Sequence, residues 1–260
     1  MISLETRDLI VNYGKKVALD GVDIKIDLGS IVSIIGPNGS GKSTLLKALS
    51  RCIRPAMGKI ILNGSDIYTL NNREIAREMA ILPQMKNVSS DITVENLVSY
   101  GRYPHLGFGK RLSTEDREIV KWAMERTGLI DYRDRYINTL SGGERQRAWI
   151  SMALAQKPKI LLLDEPTTYL DISYQLEILE LIKELNTSLD LTVVMVLHDL
   201  NQAARYSDYI YVLNHGKVCE NGKPENIIKR NILEDVFRIE AHIYSDEVNS
   251  CPYFIPYRII

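Results

Sequence analysis

The stretch Gly36-Pro37-Asn38-Gly39-Ser40-Gly41-Lys42-Ser43-Thr44 constrains this chain more than any other. It matches G-x-x-x-x-G-K-[ST]. A mostly apolar strand, Ile31-Val32-Ser33-Ile34-Ile35, precedes it, and Ser43 to Arg51 follows with Leu45, Leu46 and Leu49 at helical spacing. Strand, glycine-rich loop and helix in that order point to an α/β fold that binds its ligand at a strand's carboxyl end. The glycines let the backbone curl until successive N–H groups face the β- and γ-phosphates of a nucleoside triphosphate. Lys42 adds a point charge near the β/γ oxygens, and the Ser43 hydroxyl suits Mg²⁺.

The remaining residues supply enough chain for such a core. At 260 residues the protein can form one large domain, or one domain with a smaller lobe. A formal net charge of −1 lacks the basic excess that marks nonspecific nucleic-acid binding. Cys52, Cys219 and Cys251 are scattered without metal-ligand spacing and read as free thiols in a reducing compartment. Met1 to Asp8 lacks a basic-then-apolar leader pattern. No apolar run approaches the roughly 18 residues of a membrane helix, so the chain is expected not to cross a bilayer unaided.

Residues 2 to 30 read as β ribbons, with Val22, Ile24, Ile26 and Leu28 alternating against Asp23, Lys25 and Asp27. Lys59 to Leu62 before Asn63-Gly64 is a short strand with a turn. From Gln84 to about Leu140 the pattern turns helical. Helices are expected at Thr93 to Tyr100 and at Thr114 to Thr127, the second capped by Ser113 or Thr114, with a glycine-rich loop from Gly101 to Lys110 between them. Alternation of strand and helix then resumes, with strands at Ile160 to Asp164 and Thr192 to Leu197. Between them lies a helix carrying Ile178, Leu181, Ile182 and Leu185. Short apolar strands joined by crossovers imply a mostly parallel sheet. Tyr209 to Leu213 and Lys217 to Glu220 flank Asn214-His215-Gly216 as a hairpin. After Pro224 come short helices and a possible strand at Glu240 to Tyr244.

Several candidate site residues fall at strand ends. Asp164 closes the apolar strand Ile160-Leu161-Leu162-Leu163, where its carboxylate can hold Mg²⁺ through water. Glu165 follows at once, placed to act as base or positioner for a water attacking the γ-phosphate. His198 follows Val193 to Leu197 and could contact that phosphate. Gln84, after Ile81-Leu82-Pro83, could touch Mg²⁺ or the water as the helical insert moves.

One further run, Leu140-Ser141-Gly142-Gly143-Glu144-Arg145-Gln146, opens a helix, and its N-terminal N–H groups and dipole offer a second place for phosphate oxygens. It resembles the signature sequence of ATP-binding cassette (ABC) proteins. In sequence order, Tyr13, Gly36 to Thr44, Gln84, Leu140 to Gln146, Ile160 to Pro166, Leu170-Asp171 and His198 are similar to the complete motif set of ABC ATPase domains. Three stretches resemble the importer branch for iron–siderophore, haem and cobalamin, with iron–siderophore favoured: Tyr100 to His105, Leu163 to Asp171, and His198 to Tyr206.

That resemblance implies one ABC ATPase domain over residues 1–260. Its P-loop NTPase core would have a mostly parallel sheet and an N-terminal antiparallel β subdomain (1–83 and 157–260), with an inserted helical subdomain (84–156) that includes the signature. It implies ATP and Mg²⁺ as cofactors, Tyr13 stacked on adenine, and Leu170-Asp171 at a dimer seam. Ser141, Gly142, Gly143 and Glu144 would complete the site of a second copy in a head-to-tail homodimer. Transmembrane permease subunits would dock near Gln84 to Tyr103, with a substrate-binding protein acting indirectly and no nucleic acid. The chain would be peripheral on the cytoplasmic face of the membrane. ATP is expected over GTP because no N-K-x-D motif occurs. The alternatives are the same role for haem or cobalamin, a soluble ABC ATPase acting on nucleic acid or ribosomes, or a nucleotide-gated module without turnover. Intact Lys42, Asp164, Glu165 and His198 oppose the last.

Overall fold

The computed structural model describes residues 2–84, 91–107, 109 and 111–260. The chain divides into two compact units, Met1–Thr69 with Thr192–Ile260, and Leu70–Leu191.

In the first unit, strands Ile2–Tyr13 and Lys16–Asp27 pair antiparallel, with Leu4 opposite Ile26 and Thr6 opposite Ile24. Period-2 alternation sends Val22, Ile24 and Ile26 into the core and leaves Asp23, Lys25 and Asp27 in solvent. Leu28, expected to extend that alternation, lies beyond the strand and is exposed, because the chain turns through Gly29 at φ 72°. Met57–Leu62 joins the ribbon on its other side, pairing with Ile2–Tyr13.

The wholly buried strand Ile31–Ile35 runs parallel to both Thr192–Val196 and Tyr209–Asn214. A strand covered on both faces needs a nearly continuous apolar run, which these segments supply, and buried Ser33 and Thr192 are hydrogen-bonded to Ser207 and to the Gly29 N–H. Tyr209–Asn214 turns back into Lys217–Gly222 through His215 (φ 47°) and Gly216 (φ 78°). Two consecutive positive-φ residues give the turn whose twist matches a hairpin. The C-terminal stretch, expected to hold one possible strand, forms a complete antiparallel hairpin, Ile239–Asp246 with Cys251–Ile259. Its Pro252 and Pro256 obscure the strand signal, and both sit where a two-stranded ribbon tolerates a missing donor.

The second unit pairs strands Met79–Leu82 and Ile160–Asp164 in parallel and surrounds them with helices. It is wider than the stretch 84–156 marked by helical pattern. Gln156 donates its side-chain amide to the Met79 carbonyl (2.7 Å), and the Lys159 N–H donates to the Glu78 carbonyl (2.8 Å). Two of its longer helices begin on side-chain caps. Thr114–Arg126 opens on a Ser113/Asp116 capping box, and Gly142–Ala155 on a Ser141/Glu144 box. In Ile172–Leu189 the fully buried stripe is Ile178, Leu179, Ile182 and Leu185; Leu181 lies at its margin.

The expected loop from Gly101 to Lys110 is a 3-10 helix over Tyr100–His105, while Phe108 and Lys110 lie outside the described residues. Tertiary contacts override its glycine and proline. Gly101 lies so close to the Met152 carbonyl that a Cβ would come within 2.1 Å of it. Buried Arg102 donates to Asp116 (2.9 Å) and to the Ala155 carbonyl (2.7 Å), and His105 Nε2 lies 2.9 Å from the Gln156 carbonyl. Burial is the main reason the His105 imidazole titrates below its ordinary value.

Candidate functional site: a phosphate cradle and a held carboxylate

Strand Ile31–Ile35 delivers the chain into Gly36, whose φ of 148° and packing exclude a side chain: a Cβ would lie 2.0 Å from the Leu213 carbonyl oxygen. Gly41 is likewise closed in, with a Cβ position 2.8 Å from the Ala18 carbonyl oxygen at φ 110°. The loop therefore folds tightly against the ribbon and the Tyr209–Gly222 hairpin, and the Gly216 N–H donates to the Ser40 carbonyl at 2.9 Å. Helix Lys42–Leu49 starts directly from Gly41 with no side-chain cap, so its positive end faces the loop.

Lys42 is 6% exposed and donates from Nζ to the carbonyls of Gly36 (2.8 Å) and Pro37 (3.0 Å). Its charge is thus stored across the loop. Ser40 Oγ is buried in the same loop and has no hydrogen-bond partner. An orphan hydroxyl, a buried ammonium and a helix N-terminus around a backbone closed to side chains at Gly36 and Gly41 fit a polyphosphate, and Ser43 and Thr44 lie in the first turn of that helix.

His198 joins this cluster through strand register. Ile34 pairs with Val196, and the Leu197 N–H donates to the Ile34 carbonyl at 3.3 Å. His198 and Gly36 therefore emerge side by side at the carboxyl ends of neighbouring parallel strands. Tyr13 ends the first strand opposite Lys16, with its ring about half exposed.

The second unit gathers the acidic residues. Leu82 pairs with Leu163, so Gln84 and Glu165 sit two residues beyond paired positions. The Gln84 side-chain amide donates to Glu165 Oε2, and the Thr168 hydroxyl donates to the same oxygen at 3.0 Å. Asp164 is buried at the strand end, and Glu165 adopts φ 53°, a left-handed conformation that costs a non-glycine residue about 1 kcal/mol or more. Strain at that residue aims its carboxylate off the strand. Gln84, expected to touch Mg²⁺ or the water, donates here to the carboxylate expected to face that water. Thr168 is absent from the expected site, although a hydroxyl three residues after a turn carboxylate is the available signal.

The signature run is also in the second unit. Ser141 Oγ accepts from the Glu144 N–H (3.3 Å), and Glu144 Oε2 accepts from the Ser141 N–H (2.8 Å). That backbone bond is the main reason the Glu144 carboxyl is held below its ordinary range. Glu144 thus orders the helix start. Gly142 would place a Cβ 3.1 Å from Leu170 Cδ2, and Gly143 one 2.4 Å from Tyr174 Cδ1. A side chain at Gly143 would collide with Tyr174, whereas at Gly142 it would only press on Leu170; both neighbours follow Glu165 in the chain. Lys42, Ser43 and His198 belong to the first unit; Gln84, Asp164, Glu165 and the signature belong to the second.

Comparison with known proteins places the chain in a family and a fold. Residues 19–168 match the family model described as ABC transporter. The iron(3+)-hydroxamate import ATP-binding protein FhuC of Bacillus subtilis is 49% identical, covering 100% of this chain and 97% of that protein. The ferric enterobactin transport ATP-binding protein FepC of Escherichia coli is 44% identical over 97% and 93%. A metal-chelate type ABC transporter in an inward-facing conformation superimposes with a TM-score of 0.87 at 27% identity, covering 99% and 98%. The dimeric cassette MJ0796 superimposes with a TM-score of 0.74 at 30% identity, covering 85% and 98%. Shared features are the α/β fold, an N-terminal antiparallel sheet, a mostly parallel main sheet and a helical subdomain.

Proposed function

This chain belongs to the ABC transporter family as an ATP-binding subunit, and from that premise we propose that it hydrolyses ATP to energise import of an iron–siderophore chelate through separate transmembrane subunits. Among the described residues no helix is long and apolar enough to cross a membrane, so the permeation path belongs to partners. The chain then works as a peripheral subunit on the cytoplasmic face of the membrane, and a substrate-binding protein supplies cargo from the other side.

In this reading Lys42 exchanges the Gly36 and Pro37 carbonyls for β- and γ-phosphate oxygens, and the loop's N–H groups donate to the remaining phosphate oxygens. Tyr13 offers its ring to adenine. Ser43, Asp164 and Gln84 would hold Mg²⁺, which would supply positive charge to offset that of the phosphates. Glu165 orients the attacking water and takes its proton as the water oxygen bonds to phosphorus and the β–γ bridge breaks; the products are ADP and phosphate. His198 hydrogen-bonds the γ-phosphate and keeps the water in line.

Ser141 to Gly143 grip the triphosphate held by a second copy, each copy serving the other head-to-tail. Ser141 keeps its capping bond to Glu144 while the helix N-terminus faces that phosphate. Two triphosphates gripped from both sides favour the closed dimer over the open one, and loss of the γ-phosphate removes that preference. The helical stretch 84–156 carries the change to the permease.

The observation that carries this reading is the phosphate cradle: buried Lys42 folded on Gly36 and Pro37, with Ser40 Oγ unpaired beside it. The chain, purified with its membrane partner and binding protein in liposomes, should accumulate radio-iron as a ferric hydroxamate only with ATP. Accumulation of haem or cobalamin with no ferric chelate would overturn the cargo.

A further inference from the structure

The C-terminal hairpin has no part in the mechanism above, yet it is joined to the segment that carries His198. Asp199 caps helix Leu200–Tyr206, accepting at Oδ1 from the N–H groups of Asn201 (2.8 Å) and Gln202 (3.0 Å). A helix of seven residues has almost no stability of its own, so its position comes from tertiary contacts. Two kinds are present. Ala204 packs in a cluster with Ile228, Leu233 and Phe254 of the C-terminal segment. Asn201 then bonds through both ends of its amide to the backbone of one hairpin residue: Nδ2 donates to the Phe254 carbonyl (3.1 Å) and Oδ1 accepts from the Phe254 N–H (3.0 Å).

A paired donor and acceptor on a single residue's backbone fix direction as well as distance, which apolar packing alone does not. They are made three residues after His198, on the first turn of the helix that His198 leads into. We propose that Asn201 is a positioning residue: its clamp on Phe254 makes the C-terminal hairpin the rear support of His198 and sets where the imidazole stands at the strand end. This rests on the reading of His198 as the γ-phosphate contact. It also gives a physical task to Asn201, which lies within the His198 to Tyr206 stretch that resembles the importer branch.

The test uses the full chain and its four histidines, His105, His198, His215 and His242, followed by nuclear magnetic resonance with histidine-selective isotope labelling. Asn201→Ala should move the His198 ring resonance without nucleotide present. In the assembled transporter it should lower kcat about tenfold while KM for ATP stays within about twofold, the pattern of a displaced group that acts in the transition state. Phe254→Leu keeps the backbone groups that Asn201 reads and trims only the packed ring. It should lower the thermal midpoint yet leave the His198 resonance and kcat in place. An unmoved His198 resonance in Asn201→Ala, or a Phe254→Leu variant that reproduces its kcat loss, would overturn the proposal. Full activity in His198→Ala would remove His198 from hydrolysis, and the resonance in Asn201→Ala would still decide the clamp.

Discussion

Thr168 donates its hydroxyl to Glu165 Oε2 at 3.0 Å, the oxygen that also accepts the Gln84 amide. The carboxylate assigned to the attacking water is therefore held by two donors on its own unit. Thr168→Val removes one donor at nearly constant volume and should lower kcat several-fold with ATP binding by calorimetry unchanged. Thr168→Ser should restore wild-type turnover. If Ser and Val behave alike, the hydroxyl is not what orients Glu165.

Glu165→Gln keeps the shape of the side chain and loses its basicity. Turnover should fall by about a hundredfold or more, within the range a general base contributes. ATP binding should persist, and a closed dimer should accumulate on size-exclusion chromatography. Normal turnover in this variant would remove Glu165 from the chemistry.

Gly143 lies beneath the Tyr174 ring, with a Cβ position 2.4 Å from Cδ1. Gly143→Ala should therefore destabilise the chain by about 1–3 kcal/mol through overpacking, seen as a lower thermal midpoint. Trimming the ring in Gly143→Ala/Tyr174→Leu should recover most of that loss. No recovery would place the cost in the backbone instead.

Ser141→Arg adds bulk and charge where a second copy's triphosphate is expected. The isolated chain should bind ATP as before, because Lys42 and its loop are untouched, while steady-state hydrolysis disappears. Wild-type hydrolysis would rule out the composite site.

Arg102 and Asp116 form a buried pair, with side chains 7% and 12% exposed and 2.9 Å between partners. Burial alone would raise the Asp116 carboxyl, but hydrogen bonds from Ser113 and Arg102, with the Arg102 charge, outweigh it and hold it below its ordinary value. A folded-state value below the unfolded one contributes stability that is fully present above about pH 4 and lost as pH falls through the folded value. Arg102→Met leaves a buried charge without its partner and should cost about 3–5 kcal/mol at neutral pH. Its thermal midpoint should also change less than wild type between about pH 5 and pH 3. A parallel loss in both proteins would show that the pair does not govern the acid limb.

Much of this arrangement was legible in the sequence. Gly36 to Thr44, Asp164 to Pro166 and Leu140 to Gln146 carry chemistry within runs of fewer than ten residues, and their flanks state strand or helix by local periodicity. Cap chemistry is equally local, which is why Ser113 and Ser141 mark helix starts correctly. Two stretches misled. Tyr100–His105 reads as loop because the bonds that hold it reach forward to Asp116, Ala155 and Gln156. The C-terminal hairpin reads poorly because prolines break the strand pattern and its anchor, Asn201, lies 53 residues upstream.

The sequence by itself thus determined which residue types are offered to a phosphate ligand, and at the end of which strand each stands. Tertiary structure alone decided how those residues are held. It folds Lys42 onto the Gly36 and Pro37 carbonyls, puts Gln84 and Thr168 on one oxygen of Glu165, lays Tyr174 over Gly143 and ties Asn201 to Phe254. Spacing along a chain encodes contacts within a turn or a ladder. Hydrogen bonds between distant segments depend on where whole elements pack, and no local pattern carries that.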